Sequence, residues 1–275
     1  ILKTYLHFTG LLLLLVISLY YLGKIPPAMI AGLNLRMRTS LGFSYYTYAS
    51  QLLFYFTLAY GVYKNRTITY WELALLELAN LFVFYSTNTR NPFTLSTFFI
   101  ICIFINKLVK DKFFSLELKP LKYIFMFIFP ICFVSLVIIT FYISANKFEE
   151  YNTLLSGRLW LNRLGIERWG IHVLGQKIAF NTFSNGVVSN NYDFIDSSYF
   201  QMLLVNGWLF FGIILILFTQ VCREAIKQKN IFLSIVLCLN AIHSMFDPQL
   251  LMPWYSPFCL LLGNTFSIRK LGNNL

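Results

Sequence analysis

SANKFEEYNTLLSGRLWLNRLGIERWGIHVLGQKIAFNTFSNGVVSNNYDFID, from Ser144 to Asp196, is the only long stretch of this chain that is not a run of apolar residues. It interleaves Arg158, Arg163, Arg168 and His172 with Trp160 and Trp169. On either side the sequence reads as membrane. At 57% hydrophobic and 12% charged over 275 residues, with 29 Phe and 17 Tyr, the chain has too little polar surface for a water-soluble globule.

Runs of about 17 to 25 apolar residues are long enough to cross a bilayer as helices. Eight are read here: Tyr5–Leu22, Tyr45–Tyr63, Ile68–Ser86, Pro92–Leu108, Leu121–Ile143, Ser198–Thr219, Ile231–Met245 and Leu250–Ile268. Lys64-Asn65-Arg66 joins the second and third as a tight hairpin. The expected fold is an all-α integral membrane protein of about eight transmembrane helices, a single polytopic domain over residues 1–275 with 144–196 as its large extracytoplasmic loop. The sequence opens on Ile1 rather than Met, directly before an apolar run, so further N-terminal spans are expected to precede it.

The net charge of +11 belongs to membrane topology rather than to nucleic acid, which is not an expected partner. With the Lys64 hairpin on the cytoplasmic side, ten of the thirteen basic residues on that side are lysine, whereas six of the nine outside are arginine: Arg36, Arg38, Arg90, Arg158, Arg163 and Arg168. Topology asks only for positive charge, so a preference for arginine on the disfavoured side has another cause. A guanidinium grips phosphate or carboxylate with two bonds at once. A lipid-linked diphosphate carried at that surface is the ligand class this suits; the ordinary alternative is lipid headgroups, or pairing with Glu149, Glu150, Glu167, Asp193 and Asp196 in the loop. The five cysteines all lie in or at the ends of apolar runs, and their spacing fits neither a disulfide framework nor a metal site.

Within the loop, Leu154–Trp169 reads as an amphipathic helix, with Gly157, Gly165 and Gly170 as candidate breaks. At about 100° per residue, Arg158, Arg168 and His172 share one face and Arg163 falls nearly opposite, toward solvent or headgroups. With Trp160 and Trp169 the same segment also suits a helix lying flat on the membrane surface.

Further elements recur at the expected outer ends of the spans. Arg38, Gly42 and Phe43 make an Arg-x-x-x-Gly-Phe element, and Ser86–Arg90 is a Ser/Thr-rich stretch ending in arginine. Ser156–Arg158 is a Ser-Gly-Arg element, Leu174–Gln176 a Leu-Gly-Gln turn, and Asp196 with Tyr199 an Asp-x-x-Tyr element followed by Gly207. In this order and at these positions they resemble the Wzy-type family of O-antigen and capsular polysaccharide polymerases, over nearly the whole chain. The resemblance implies a multi-pass protein of the bacterial cytoplasmic membrane with its long loop extracytoplasmic. It implies a glycosyltransferase that moves a growing glycan from its undecaprenyl diphosphate carrier onto a sugar hydroxyl of the next lipid-linked repeat unit. No cofactor and no metal are expected. Membrane lipid, a chain-length regulator and export-complex proteins are the further partners implied. Family members usually have ten or more spans, against the eight read here. An O-antigen ligase, with the same chemistry and another acceptor, is the alternative, and a lipid-linked oligosaccharide flippase a more distant one.

Breaking a glycosyl–phosphate bond places negative charge on the departing diphosphate, which preorganised cations stabilise. Arg90 and Arg158 are the first candidates for that role and Arg38 the next, with Arg36 and Arg168 as substrate-binding residues. His172 and Asp196 are the candidate acceptors of the hydroxyl proton, Asp196 being equally suited to cap the following helix. Tyr199 and Trp160 are candidates to stack on sugar rings, or else interfacial aromatics; Asp193 reads as a solvated loop residue. Glu77, with Asn80, lies inside the third span, where an ionisable group is a functional suspect. His243 and Asp247, near the outer end of the seventh span, are further candidates for the floor of the site.

Overall fold

The computed structural model describes residues 1–26, 38–109, 119–184, 187–188 and 192–264. Apart from two-residue strands at Phe183–Ser184 and Val187–Val188, its regular structure is helical. Three helices among the described residues are long and apolar enough to cross a membrane: Leu2–Tyr21, Arg90–Leu108 and Gly207–Lys227, with mean hydropathies of 1.7, 1.4 and 1.9. The chain groups into two compact units, one of Ile1–Glu117, Asn185–Val187 and Pro253–Pro257, the other of Leu118–Ser184, Val188–Met252 and Phe258–Leu275.

The first unit holds α1 (Leu2–Tyr21), α2 (Tyr48–Lys64), α3 (Tyr70–Thr87) and α4 (Arg90–Leu108). Helix α2 touches the other three and is buried almost all round, from Ala49 to Leu58. By contrast α1 buries only Leu6, Thr9 and Leu13 and leaves Phe8, Leu11 and Leu14 exposed. An apolar helix bare on most of its surface is what lipid, rather than water, covers. The expected Lys64 hairpin is present. Asn65 takes a positive φ, and Thr69 opens α3 with a capping box: its hydroxyl accepts from the Glu72 N–H while the Glu72 carboxylate accepts from the Thr69 N–H at 2.6 Å. Lys64 closes the hairpin on the same carboxylate at 2.8 Å. Glu77 is engaged across the next hairpin, accepting from the Thr97 hydroxyl at 2.9 Å, and Asn80 donates to that hydroxyl at 3.0 Å.

The second unit begins with α5 (Lys119–Met126) and α6 (Ile128–Val137), which runs into a π-helical turn at Ile138–Tyr142. The expected fifth span is therefore interrupted near Phe127. Pro130, in the first turn of α6, has no N–H to return to the preceding turn. The loop helices α7 (Ala145–Leu154) and α8 (Arg158–Trp169) follow, then α9 (Ser198–Val205), α10 (Gly207–Lys227) and α11 (Ile231–His243). Phe129 of α6 and Phe218 of α10 stack with ring centroids 4.2 Å apart, and α11 packs on both helices.

Two further span boundaries differ from expectation. The sixth is broken at Asn206–Gly207, so the helix long enough to cross is Gly207–Lys227 rather than a helix starting at Ser198. In place of a helical eighth span, residues 244–256 form turns, and a 3-10 helix runs over Pro257–Asn264. Pro248, Pro253 and Pro257 withhold N–H donors and bias their preceding residues to extended backbone, which a continuous α-helix does not tolerate. The end of that expected span, 265–268, lies outside the described residues, as do the loop from 110 to 118 and the tail arginine and lysine, Arg269 and Lys270.

Candidate functional site

Glycines set the limits of the loop helices. Ser156 and Gly157 take positive φ and end α7, the Gly157 N–H donating to the Asn152 carbonyl at 2.7 Å. The Asn152 side chain then accepts from the Trp160 N–H at 2.9 Å and holds the start of α8. Gly170, also at positive φ, ends α8. The loop helix therefore covers Arg158–Trp169, without the turn before it. Gly165 does not break it: a Cβ there would fall 2.4 Å from Ile195 Cδ1, so its bareness lets the segment before α9 lie against the helix.

That segment is fastened at two points by the two arginines expected to share a face. Arg158 Nε donates to Asp196 at 3.2 Å, and Arg168 Nη1 to Asp193 at 2.6 Å. Asp193 is not a solvated loop residue. Its side chain is 1% exposed, and it also accepts from the backbone and side-chain nitrogens of Asn181, at 2.6 and 3.0 Å. Burial with three donors makes it an anchor of the loop. Nor does Arg163 face solvent: Nε donates to the Thr140 carbonyl in the π-helical turn, and the guanidinium lies 3.5 Å from the Phe148 ring centroid. It caps the end of α6 and fixes α8 above it.

Asp196 does not cap α9. Ser197 does, its hydroxyl accepting from the Phe200 N–H, which leaves the Asp196 carboxylate to Arg158. Asp247 lies 3.8 Å from Nη2 of the same guanidinium and 3.5 Å from His243 Nδ1. The four groups form a line, Asp196, Arg158, Asp247, His243, graded from a quarter-exposed carboxylate to a fully buried imidazole. Its inner end is fixed by Ser198, which donates its hydroxyl to the Asp247 carbonyl at 2.6 Å and its N–H to the Ser244 carbonyl at 3.0 Å. Burial pushes the Asp196 carboxyl above the usual carboxylate range; Arg158 pulls the other way and Asp247 adds to the rise. A partly open guanidinium beside a carboxyl that readily takes a proton can bind an anion and accept a proton at neighbouring points.

The other expected site residues make other contacts. Tyr199 is fully buried, its hydroxyl donating to the Ala241 carbonyl at 3.0 Å and its ring meeting Phe133 and Phe211, so it belongs to the core rather than to a sugar-binding surface. His172 is exposed past the end of α8, its Nε2 3.2 Å from the Trp169 carbonyl, and takes no part in the charged line. Trp160 is half exposed. In the first unit, the Arg38 guanidinium covers the Tyr46 ring at 4.6 Å, and the next residue, Thr39, donates its N–H to the Ser86 carbonyl at 3.0 Å. This ties Arg38 to the end of α3, beside the turn that presents exposed Arg90 at the start of α4. Arg36 lies outside the described residues.

His243 and Asp247 had only their place at a helix end to mark them. Their membership of the line depends on the turn after α11 folding back to α9, for which the Asp247-Pro248 step is the one local sign. No protein-family model, curated protein or solved structure matches this chain.

Proposed function

We propose that this chain is a membrane glycosyltransferase that joins undecaprenyl-diphosphate-linked oligosaccharide repeat units at the outer face of the bacterial cytoplasmic membrane, with Ser144–Asp196 on that face. The observation that carries the reading is the Arg158 guanidinium paired with the Asp196 and Asp247 carboxylates at the head of α9, with about a quarter of the Arg158 and Asp196 side chains open. In the reaction, an acceptor sugar hydroxyl attacks the anomeric carbon of the lipid-linked glycan and the bond to the diphosphate oxygen breaks. The electron pair leaves with the diphosphate. Arg158 meets that developing charge. A diphosphate that draws the guanidinium toward itself loosens its hold on Asp196, whose carboxylate then takes the hydroxyl proton. Asp247 remains as the inner counter-charge that keeps Arg158 in place.

The test is reconstitution of the full-length protein in liposomes with one purified undecaprenyl-diphosphate-linked repeat unit. A ladder spaced by whole repeat units, with carrier diphosphate released, is the expected result. It should be lost in Arg158→Lys, which keeps the charge but not the planar fork. Transfer only when a second acceptor is supplied would assign a ligase instead. Translocation of the intact lipid-linked unit without transfer would assign a flippase.

A further inference from the structure

Helix α10 carries a bare apolar stripe: Leu209, Ile213 and Ile216, spaced at i, i+4 and i+7, are 44%, 49% and 59% exposed. Its 21 residues rise about 31 Å, close to the roughly 30 Å of a bilayer's hydrocarbon. On a spanning helix that stripe faces lipid. At its head lies a piece of the outer loop, Ile171-His172-Val173-Leu174, whose apolar side chains are also bare, Leu174 at 80%. Together they enclose a groove of about 360 Å³ lined by Val173, Leu174, Val205, Leu209, Phe210 and Ile213, with Asn206 its one polar member.

We propose that Ile171–Leu174 is a membrane anchor, seated at the outer boundary of the hydrocarbon, and that the groove takes the apolar chains of bilayer lipids. Non-helical backbone enters that depth only when its polar groups are paired within the protein. Here two of the segment's carbonyls are paired within the protein, and its other polar groups meet the hydrated headgroup layer at that boundary. The carbonyls of His172 and Val173 accept from the Trp208 and Leu209 N–H groups at 3.0 and 3.2 Å, and the Gln176 N–H donates to the Val205 carbonyl at 3.0 Å. The Gln176 side chain donates to the Trp169 and Gly170 carbonyls. The break between α9 and α10 thus holds the segment by two of its carbonyls and fixes it at the head of α10. Trp208, half exposed at the first turn of α10, is the amphipathic ring expected at that boundary. Water leaves this patch bare at a cost, and the lipid that covers the stripe below covers it by continuity. The proposal does not depend on the glycan chemistry above.

The test uses the full-length protein in phosphatidylcholine–phosphatidylglycerol liposomes. Leu174→Cys, with the five native cysteines replaced by alanine, is labelled with an environment-sensitive nitrobenzoxadiazole dye. Lipids spin-labelled near the headgroup end of the acyl chain should quench this dye several-fold more than aqueous iodide does. The order should reverse for Glu167→Cys, on the exposed part of α8. Quenching of position 174 by iodide to the extent seen at 167 would overturn the proposal, and shielding from both quenchers would assign the patch to a protein interface instead. If the cysteine-free protein does not fold, photolabelling of the unmodified protein by a bilayer-dissolved diazirine decides. Adducts on 171–174 support the anchor, and their absence, with α10 labelled, overturns it.

Discussion

Gly175 and Gly207 meet backbone to backbone. A Cβ on Gly207 would lie 2.3 Å from the Gly175 nitrogen and 2.4 Å from the Val173 oxygen, and one on Gly175 would lie 2.2 Å from the Val205 oxygen. Both residues also sit at positive φ, +82° and +85°. The Leu-Gly-Gln turn and the glycine after Asp-x-x-Tyr are therefore two halves of one joint, which holds the loop to the α9–α10 break.

Gly207→Ala should, with Gly175→Ala, be among the most damaging glycine changes in this unit. It combines a backbone collision with a conformation that L side chains rarely adopt, at a cost of more than about 2 kcal/mol. Gly212, inside α10, is the control, because a Cβ added there would meet nothing within 4 Å. Its alanine variant should be neutral or gain up to about 1 kcal/mol of helix propensity. Thermal unfolding in detergent ranks the two.

Removing Arg158 leaves Asp247, at 4% exposure, without this guanidinium. Arg158→Met should destabilise by about 2 kcal/mol, below the range for fully buried pairs because the arginine is a quarter open. Asp247→Asn in the same background should recover part of the loss. A double-mutant cycle on unfolding midpoints measures the coupling, and strict additivity would dissolve the proposed line of charges.

The Arg168–Asp193 pair is asymmetric, one side chain half exposed and the other 1% exposed. Arg168→Gln should cost no more than about 1 kcal/mol. Asp193→Ala strips the Asn181 backbone and side chain of their acceptor as well and should cost about 2 to 3 kcal/mol. Equal effects in the unfolding assay would contradict the anchoring role given to Asp193.

For Asp196 the sign of the pH dependence follows from its raised carboxyl. A folded-state value above the unfolded one contributes stability that is full below about pH 4 and is lost as pH rises through the raised value. Asp196→Asn does not ionise. The stability difference between wild type and this variant should therefore move in the variant's favour as pH is raised from about 4 to about 7, while glycan transfer is lost at every pH. A difference that moved the other way would mean that Arg158 outweighs burial.

The sequence by itself determined the class of this protein and the shape of its loop helix. Apolar runs such as Tyr5–Leu22 and Ser198–Thr219 carry too few polar residues to present a face to water, and the 3.6-residue period put Arg158 and Arg168 on one side of α8 with Arg163 on the other, because both are properties of neighbours along a single helix. What those arginines meet was decided only in three dimensions. Asp193 and Asp196 come from a segment some 25 to 38 residues further on, and Asp247 from the turn beyond α11. Whether such groups meet depends on the α9–α10 break, the Gly165 notch that admits Ile195, and the fold-back of Ser198 onto Asp247. Tyr199 illustrates the same limit: its place in an Asp-x-x-Tyr element favours a surface role, yet Phe133 of α6 and Phe211 of α10 close over it. Periodicity is local and is written in composition, whereas the pairing of charges distant in sequence depends on the closure of loops, and no single segment encodes it.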